Sequence, residues 1–426
     1  MSLKLEDPLV LLLAGGVGSR LNNLVQSRAK PAVPFGGIYR IIDFSLSNVM
    51  NAGFPQVGVL TQYKPLSLMR HIGDGTAWDF AGRTRGAKIL PPRTGSQDSD
   101  WYKGTADAVR QNIDFIRAHP APEVVILSGD HIYSMDLDDL VSSHRRKEAD
   151  LTVATMVVPR EQIHQFGAAI TDEEGRIVEW EEKPAVPRTD LASMGIYVLS
   201  TDYLLNYLEK YRDDLDFGMD LIPRAIATDR VFAYPFRGYW RDVGTIQAYW
   251  EANMDLLAAD SPLNPAAWGT RPNPETEGLP YDRCPARFMG DSLVRQSLIP
   301  AGCIIEGTVL NSVLSPGVRV GPGAVVRDSI LFHDCRVAAG ATVDLAILDK
   351  RVQVGEKAVV GQGEDKTVVN RDNPKHLYSG ISLLGKQAQI PAGAVIGRNC
   401  VVSPGSRVED FPGATLSSGE SVQPAG

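Results

Sequence analysis

From Pro8 to about Asp260 the chain alternates short aliphatic and β-branched runs with amphipathic stretches, the pattern of an α/β layer fold. The apolar runs predict strands at Leu9–Ala14, Val57–Gln62, Glu123–Ser128, Leu151–Val158, Arg176–Glu182 and Ser193–Leu199. Helical spacing predicts a helix over Asp43–Asn51, stopped by a left-handed Gly53, and another over Thr105–Arg117, where the Thr105 hydroxyl can cap free N–H groups. Two more helices follow Leu137 and Thr245. Between Ser261 and Pro285 the periodicity fades and six prolines appear, the composition of a connector.

Beyond the connector the period changes. Three consecutive 17-residue segments, starting at Asn311, Asp328 and Leu345, align column by column. Val313, Ile330 and Ile347 share one column, Val320, Val337 and Val354 a second, and Val326, Val343 and Val360 a third. Within each segment the aliphatic anchors fall 6, 6 and 5 residues apart, which places one inward side chain on each flat side of a three-sided coil. That predicts a hexapeptide β-helix. A looser coil around Leu298–Ile305 precedes the repeats, and a further hexad run starts at Ile390 after an irregular insertion between Gln362 and Lys386. A β-sandwich of similar short strands is the alternative, but sandwich strands need not keep a fixed period.

Composition narrows the function classes. The chain has 426 residues, enough for two or three folding units with cores of their own. Its formal net charge of −8 lacks the basic excess of a nucleic-acid-binding surface. Cys284, Cys303, Cys335 and Cys400 lie far apart with no C-x-x-C pair, which suggests neither a zinc cluster nor a disulfide framework and fits a reducing cytoplasm. The apolar stretch Leu9–Ala14 is too short to span a bilayer and follows acidic Glu6 and Asp7, so neither a membrane partner nor a signal peptide is expected.

Several motifs carry candidate chemistry. The turn GGVGSRL places Gly15, Gly16 and Gly18 where backbone N–H groups can approach a phosphate, with Arg20 as a charge-assisted fork; alone, it could equally be a tight structural turn. It is neither a Walker loop, which needs G-K-[ST], nor a dinucleotide fingerprint, because Leu21 stands where a third glycine belongs. In RAKPAVPFGG, Pro31 keeps Lys30 extended near that loop, where it could neutralise a leaving pyrophosphate or simply be solvated. The strand of EVVILSGDHIY runs straight into Asp130, at the carboxyl end where ligands sit in open α/β sheets, although a helix cap would explain Asp130 too. Asp242 in YWRDVGT occupies a similar Gly-bounded loop, so the two aspartates could share a metal such as Mg²⁺. In EWEEKPA, Lys183 can hold a monophosphate and Glu182 can accept sugar hydroxyls, while WYKGTADAV adds an aromatic pair and a helix start; ordinary packing would account for either.

Taken together and in order, GGVGSRL, RAKPAVPFGG, WYKGTADAV, GDHIY, EEKPA, SMGIYV, DFGMDLIP and YWRDVGT closely resemble the glucose-1-phosphate adenylyltransferases, the ADP-glucose pyrophosphorylases of bacterial glycogen and plant starch synthesis. The resemblance covers nearly the whole chain. It implies a Rossmann-like nucleotidyltransferase domain over 1–260, a linker over 261–297 and a left-handed hexapeptide β-helix over 298–426. It also implies ATP and glucose 1-phosphate as substrates, Mg²⁺ as cofactor, a homotetramer, and anionic metabolite effectors. Carried onto this chain, Gly15, Gly16, Gly18, Arg20 and Lys30 hold the ATP phosphates, and Arg20, Lys30 and Asp130 serve catalysis. Asp130 and Asp242 hold the metal. Tyr102, Gly167, Glu182, Lys183 and Ser193 contact glucose 1-phosphate. Effector candidates are Arg28 and Arg40. Ser27 stands where enteric-type relatives carry an activator lysine, and Pro34 where a histidine is frequent, which leaves the response to fructose 1,6-bisphosphate open. Two rival readings are a related enzyme that uses another nucleoside triphosphate and a non-catalytic regulatory subunit.

Overall fold

The computed structural model describes residues 7–92, 101–273 and 283–424. The α/β part is built on a mixed nine-stranded sheet whose main path runs Ile177–Glu182, Gly167–Thr171, Leu191–Ser200, Glu123–Ser128, Leu9–Leu13, Gln56–Leu60 and Gly86–Leu90. Leu151–Val157 branches from Leu191–Ser200, and Val231–Pro235 pairs beyond it. Leu9–Leu13 lies parallel to both neighbours, Glu123–Ser128 and Gln56–Leu60, so three strand ends face the same way. Their side chains are buried on both faces, as a covered parallel sheet requires, which explains continuous apolar runs rather than alternation.

Each expected strand forms within two residues of its expected limits, whereas Gly86–Leu90, Gly167–Thr171 and Val231–Pro235 went unforeseen. The first helix spans Ile41–Asn51, with Gly53 at φ 75 just beyond its end. The helix expected over Thr105–Arg117 is two helices, Thr105–Gln111 and Ile113–Ala118. Asn112 breaks it at φ −111, its amide donating to the Ala108 carbonyl and the Tyr102 hydroxyl. Nor does Thr105 cap this helix. Its hydroxyl donates to Asp216 and accepts from the Phe217 N–H, while the N–H groups of Ala106 and Asp107 donate to the Leu215 carbonyl. Thr245 does cap the helix Ile246–Asp255, accepting from the Ala248 N–H.

The C-terminal part is a left-handed β-helix of three parallel sheets, with six, seven and six strands. The repeat register holds: Val313 pairs with Ile330 and Ile330 with Ile347, Val320 with Val337 and Val337 with Val354, Val326 with Val343 and Val343 with Val360. The insertion after Gln362 is looped out between successive coils, since Leu348 pairs with Leu384. The first coil reaches further back than the repeats, because Arg287–Phe288 and Leu293–Arg295 already pair with Ile304–Ile305 and Thr308–Leu310. No sandwich forms.

The two parts share a core. Leu21, Leu24, Phe35, Phe44, Ile246 and Tyr249 pack with Ile330, Phe332, Ile347 and Leu383 of the β-helix. Within this interface Arg28 donates two hydrogen bonds to Asp349, at 2.9 and 3.0 Å, and a third to the Leu24 carbonyl at 3.1 Å. No helix among the described residues is long and apolar enough to cross a membrane.

Candidate active site

Leu13, Leu60 and Ser128 end three adjacent strands of the sheet, and all three line a cavity of about 380 Å³. This is where an open α/β sheet binds ligands, because loops leaving the strand ends diverge and leave a crevice. One wall is the turn Gly15–Val17, the opposite one the helix entry Lys103–Thr105. Gly18 is required twice over: φ is 65, and a Cβ there would lie 2.9 Å from the Lys30 Cβ. Gly16 is different, since a Cβ would meet nothing within 4 Å. Its bareness leaves open room rather than relieving a clash, which suits a backbone that must approach a ligand. Across the cavity, Gly104 is extended, and a Cβ on it would lie 2.3 Å from the Leu215 carbonyl.

At the end of the cavity lies a compact charged cluster. The Lys30 ammonium stands 2.8 Å from Asp130 Oδ2 and 2.8 Å from Asp242 Oδ1. The two aspartates meet because Trp240–Asp242 pairs antiparallel with His131–Tyr133, which sets Asp242 opposite His131. Ser128 donates its hydroxyl to Asp130 Oδ1, and Arg20 reaches within 3.8 Å of Asp242 Oδ2. Burial by itself would lower the Lys30 pKa, but the two carboxylates outweigh it and hold the ammonium above the ordinary lysine value. Burial would likewise raise both carboxyls; Lys30 and then His131 reverse this, and both lie below the ordinary aspartate value despite the repulsion of Asp130 on Asp242.

Among the described residues, Asp130, His131 and Asp242 form a group of metal-capable donors within 4.8 Å of one another. The donor chemistry fits a divalent cation: two ionised carboxylates already converge on one positive charge, the Lys30 ammonium, and Asp130 keeps 30% of its side chain exposed.

The remaining predicted residues gather next to this cavity rather than in it. Glu182 pairs with Gly167 in register at the end of two antiparallel strands, and Ser193 lies on the neighbouring strand. Gly167 is demanded by packing, since a Cβ would lie 2.3 Å from the Trp180 ring and 2.9 Å from Glu182 Oε2. Lys183 holds φ 47, and its ammonium rests 3.1 Å from Glu182 Oε1 with 55% of the side chain exposed. The Ser193 hydroxyl accepts the Gly195 N–H at 3.2 Å. Tyr102 lines the glycine-loop cavity instead, its hydroxyl donating to the Leu90 carbonyl.

Sequence reasoning passed over the residue that joins the two regions. Asp216 lines the cavity, binds the Thr105 hydroxyl, and accepts the Gly218 and Met219 N–H groups. Gly218 in turn leaves room for Glu182, whose Oε2 would lie 2.5 Å from a Cβ at that position. The signal was present in DFGMDLIP, which entered only as part of a resemblance. Lys103, the lysine of WYKGTADAV, also lines the cavity without having been singled out, and Gln62 lines it with no motif to mark it.

The effector candidates lie inside the fold. Arg28 and Arg40 are 2% and 4% exposed. Arg28 is committed to Asp349, and Arg40 donates to the Ser67 carbonyl and hydroxyl at 3.1 and 2.8 Å. Both guanidiniums are buried and held by internal partners.

The nucleotidyl transferase family model matches residues 9–259, and the GlmU-like C-terminal hexapeptide model matches residues 284–374. Curated relatives align over almost everything. A glucose-1-phosphate adenylyltransferase of Thermomicrobium roseum is 47% identical, with 99% of this chain and 98% of that protein covered. Proteins of the same name from Thermotoga maritima and Acetivibrio thermocellus are 45% and 44% identical, covering 98% and 99% of this chain and 98% and 99% of their own lengths. The chain belongs to the glucose-1-phosphate adenylyltransferase family. The charged cluster and glycine-loop cavity therefore sit within the matched nucleotidyl transferase segment, and Asp349, which locks onto Arg28, sits within the hexapeptide segment.

Proposed function

We propose that the chain transfers the adenylyl group of ATP to α-D-glucose 1-phosphate, releasing pyrophosphate and ADP-glucose for α-glucan synthesis. The near full-length identity to proteins of that name carries this reading. In the reaction an oxygen of the sugar phosphate bonds to the α-phosphorus while the bond from that phosphorus to the bridging oxygen of pyrophosphate breaks. The nucleophile arrives with the substrate, already ionised, so the protein needs no covalent intermediate and no strong base. Its task is alignment and charge neutralisation.

Gly15, Gly16 and Gly18 would present backbone N–H groups to the ATP phosphates, with Arg20 and Lys30 adding charge. Lys30 is well suited: the two carboxylates fix its position and keep it cationic against the cost of burial. Asp130 and Asp242 would hold Mg²⁺, which supplies Lewis-acid neutralisation of the transferring phosphoryl group. Lys183 would grip the phosphate of glucose 1-phosphate, Glu182 and Ser193 its hydroxyls, and Gly167 and Tyr102 would shape the pocket. Residues 1–260 would form the catalytic domain. The assembly would be a cytoplasmic homotetramer responsive to anionic metabolites; Phe288, Met289 and Leu293, exposed on the first coil, support burial of that end against another subunit. The test is pyrophosphate release by the purified protein with Mg²⁺ across a panel of nucleoside triphosphates and sugar 1-phosphates. Preference for ATP with glucose 1-phosphate is expected. A different preferred nucleotide, or no turnover without a second chain, would overturn it.

A further inference from the structure

The first coils of the β-helix carry an unexplained concentration of arginines. Arg319 and Arg336 occupy directly paired positions on adjacent parallel strands, and both point away from the core. Neighbouring strands stand about 4.8 Å apart, so two like charges face each other in register, an arrangement that destabilises a sheet unless something shares them. Among the described residues neither guanidinium has an ion-pair or hydrogen-bond partner. Both line a cavity of about 350 Å³, together with Arg283, Arg351 and Gln353. The one carboxylate among the described lining residues, Asp334, is already bound by Arg283 at 2.8 and 3.2 Å.

The floor of the cavity is shaped to keep Arg283 flat. A Cβ at Gly317 would lie 1.9 Å from its Nη1, and one at Gly302 would lie 2.9 Å from its Cδ. Two bare glycine turns thus let one arginine lie across the end of the coil stack, next to the in-register pair. The described residues lining this basin carry a positive surplus, on a chain whose net charge is −8.

We propose that this basin is a binding site for a phosphate dianion, either free phosphate or the phosphoryl group of a phosphomonoester. Several guanidinium forks converging from different directions suit a tetrahedral anion with three or four acceptor oxygens better than a planar carboxylate with two. Among the described residues no aromatic side chain lines the basin, so they offer no stacking platform of the kind a nucleic acid strand would use. The site lies in the β-helix and uses none of the residues around Lys30.

The test compares the full-length protein with Arg319→Gln/Arg336→Gln by isothermal titration, using inorganic phosphate in one arm and glycerol phosphate in the other. Conservative Arg319→Lys/Arg336→Lys keeps the charge but loses the forks. The glutamine variant should bind at least about tenfold more weakly in any arm where the wild type binds, with the lysine variant between. Its thermal midpoint in phosphate-free, low-salt buffer should equal or exceed that of the wild type, because the like-charge pair is gone. Binding of inorganic phosphate alone assigns the site to the free ion, and binding in both arms assigns it to esters. Equal affinity of wild type and glutamine variant in both arms would overturn the proposal. So would a change of oligomeric state in the variant by light scattering, which would assign the arginines to an acidic surface of a second subunit.

Discussion

Cutting the ion pair between Arg28 and Asp349 separates two explanations for the arginine that opens the R-A-K-P run. If Arg28 served an anionic effector, Arg28→Met would change metabolite response and leave the fold alone. The geometry gives the opposite expectation. Arg28 and Asp349 side chains are 2% and 0% exposed, bonded through both guanidinium nitrogens, and they join the α/β part to the β-helix. Removing Arg28 leaves the Asp349 carboxylate with a single backbone donor, the Lys350 N–H at 2.7 Å, in a place where water cannot replace the lost partner. Stranding one member of a buried pair costs about 3–5 kcal/mol. At roughly 2–4 °C per kcal/mol for a unit of this size, the midpoint should fall by about 6–20 °C.

The assay is thermal unfolding of Arg28→Met, Asp349→Leu and the double variant. Both single variants should lose stability, and the double should recover most of it, since an apolar pair of similar volume avoids the desolvation that each charge suffers. A strictly additive double variant, or an Arg28→Met midpoint equal to wild type, would refute the reasoning and return Arg28 to the surface.

Four further outcomes test the site and the fold. Asp130→Asn and Asp242→Asn should each lower kcat by at least about 100-fold with an unchanged far-ultraviolet spectrum, because each removes charge from the position where Lys30 and a metal are held; near-normal turnover in either folded variant would remove that residue from the metal site. Lys183→Ala should raise KM for glucose 1-phosphate steeply while KM for ATP stays put, and a collapse of ATP affinity would move Lys183 to the nucleotide side. Chelation should abolish pyrophosphate release while leaving the thermal midpoint nearly intact, since the carboxylates keep Lys30 as counter-ion; loss of the fold would make the metal structural. Burial lowers the pKa of His144 to about 4, so the folded state stays neutral while the unfolded chain takes up a proton. Stability should therefore be full above about pH 6.5 and fall steadily toward pH 4, by about 3 kcal/mol, and His144→Gln should flatten that limb of the profile.

How much of this was legible beforehand follows from the range of the interactions. The β-helix was readable because each coil repeats the same local requirement, an aliphatic residue facing inward at fixed spacing, so register in sequence became register in space. The buried parallel strands were readable as apolar runs. Gly86–Leu90 was not, because it pairs along one side only and has its side chains half-buried without alternation. The break at Asn112 was hidden for another reason. Asparagine is only mildly unfavourable in a helix, and what stops the helix is its amide reaching Tyr102, ten residues back.

The active site shows the same division more sharply. Residue types and loop positions pointed to Lys30, Asp130 and Asp242 separately, each with an ordinary alternative: a solvated lysine, a helix cap, a loop acid. What excludes those alternatives is a short ladder, Trp240–Asp242 against His131–Tyr133, that connects residues more than a hundred positions apart. Once it forms, the three charges must be understood together. Two part-buried carboxylates this close would repel one another if left alone, and a buried lysine would be driven toward its neutral form; each is held charged by the others. With Arg20 beside Asp242, the formal charges of the cluster cancel in the ligand-free protein. A neutral cluster cannot by itself compensate the phosphates of a nucleotide and a sugar phosphate arriving together. The missing positive charge must enter with the substrates, which is the physical reason that a site so rich in acids can serve a reaction between two anions.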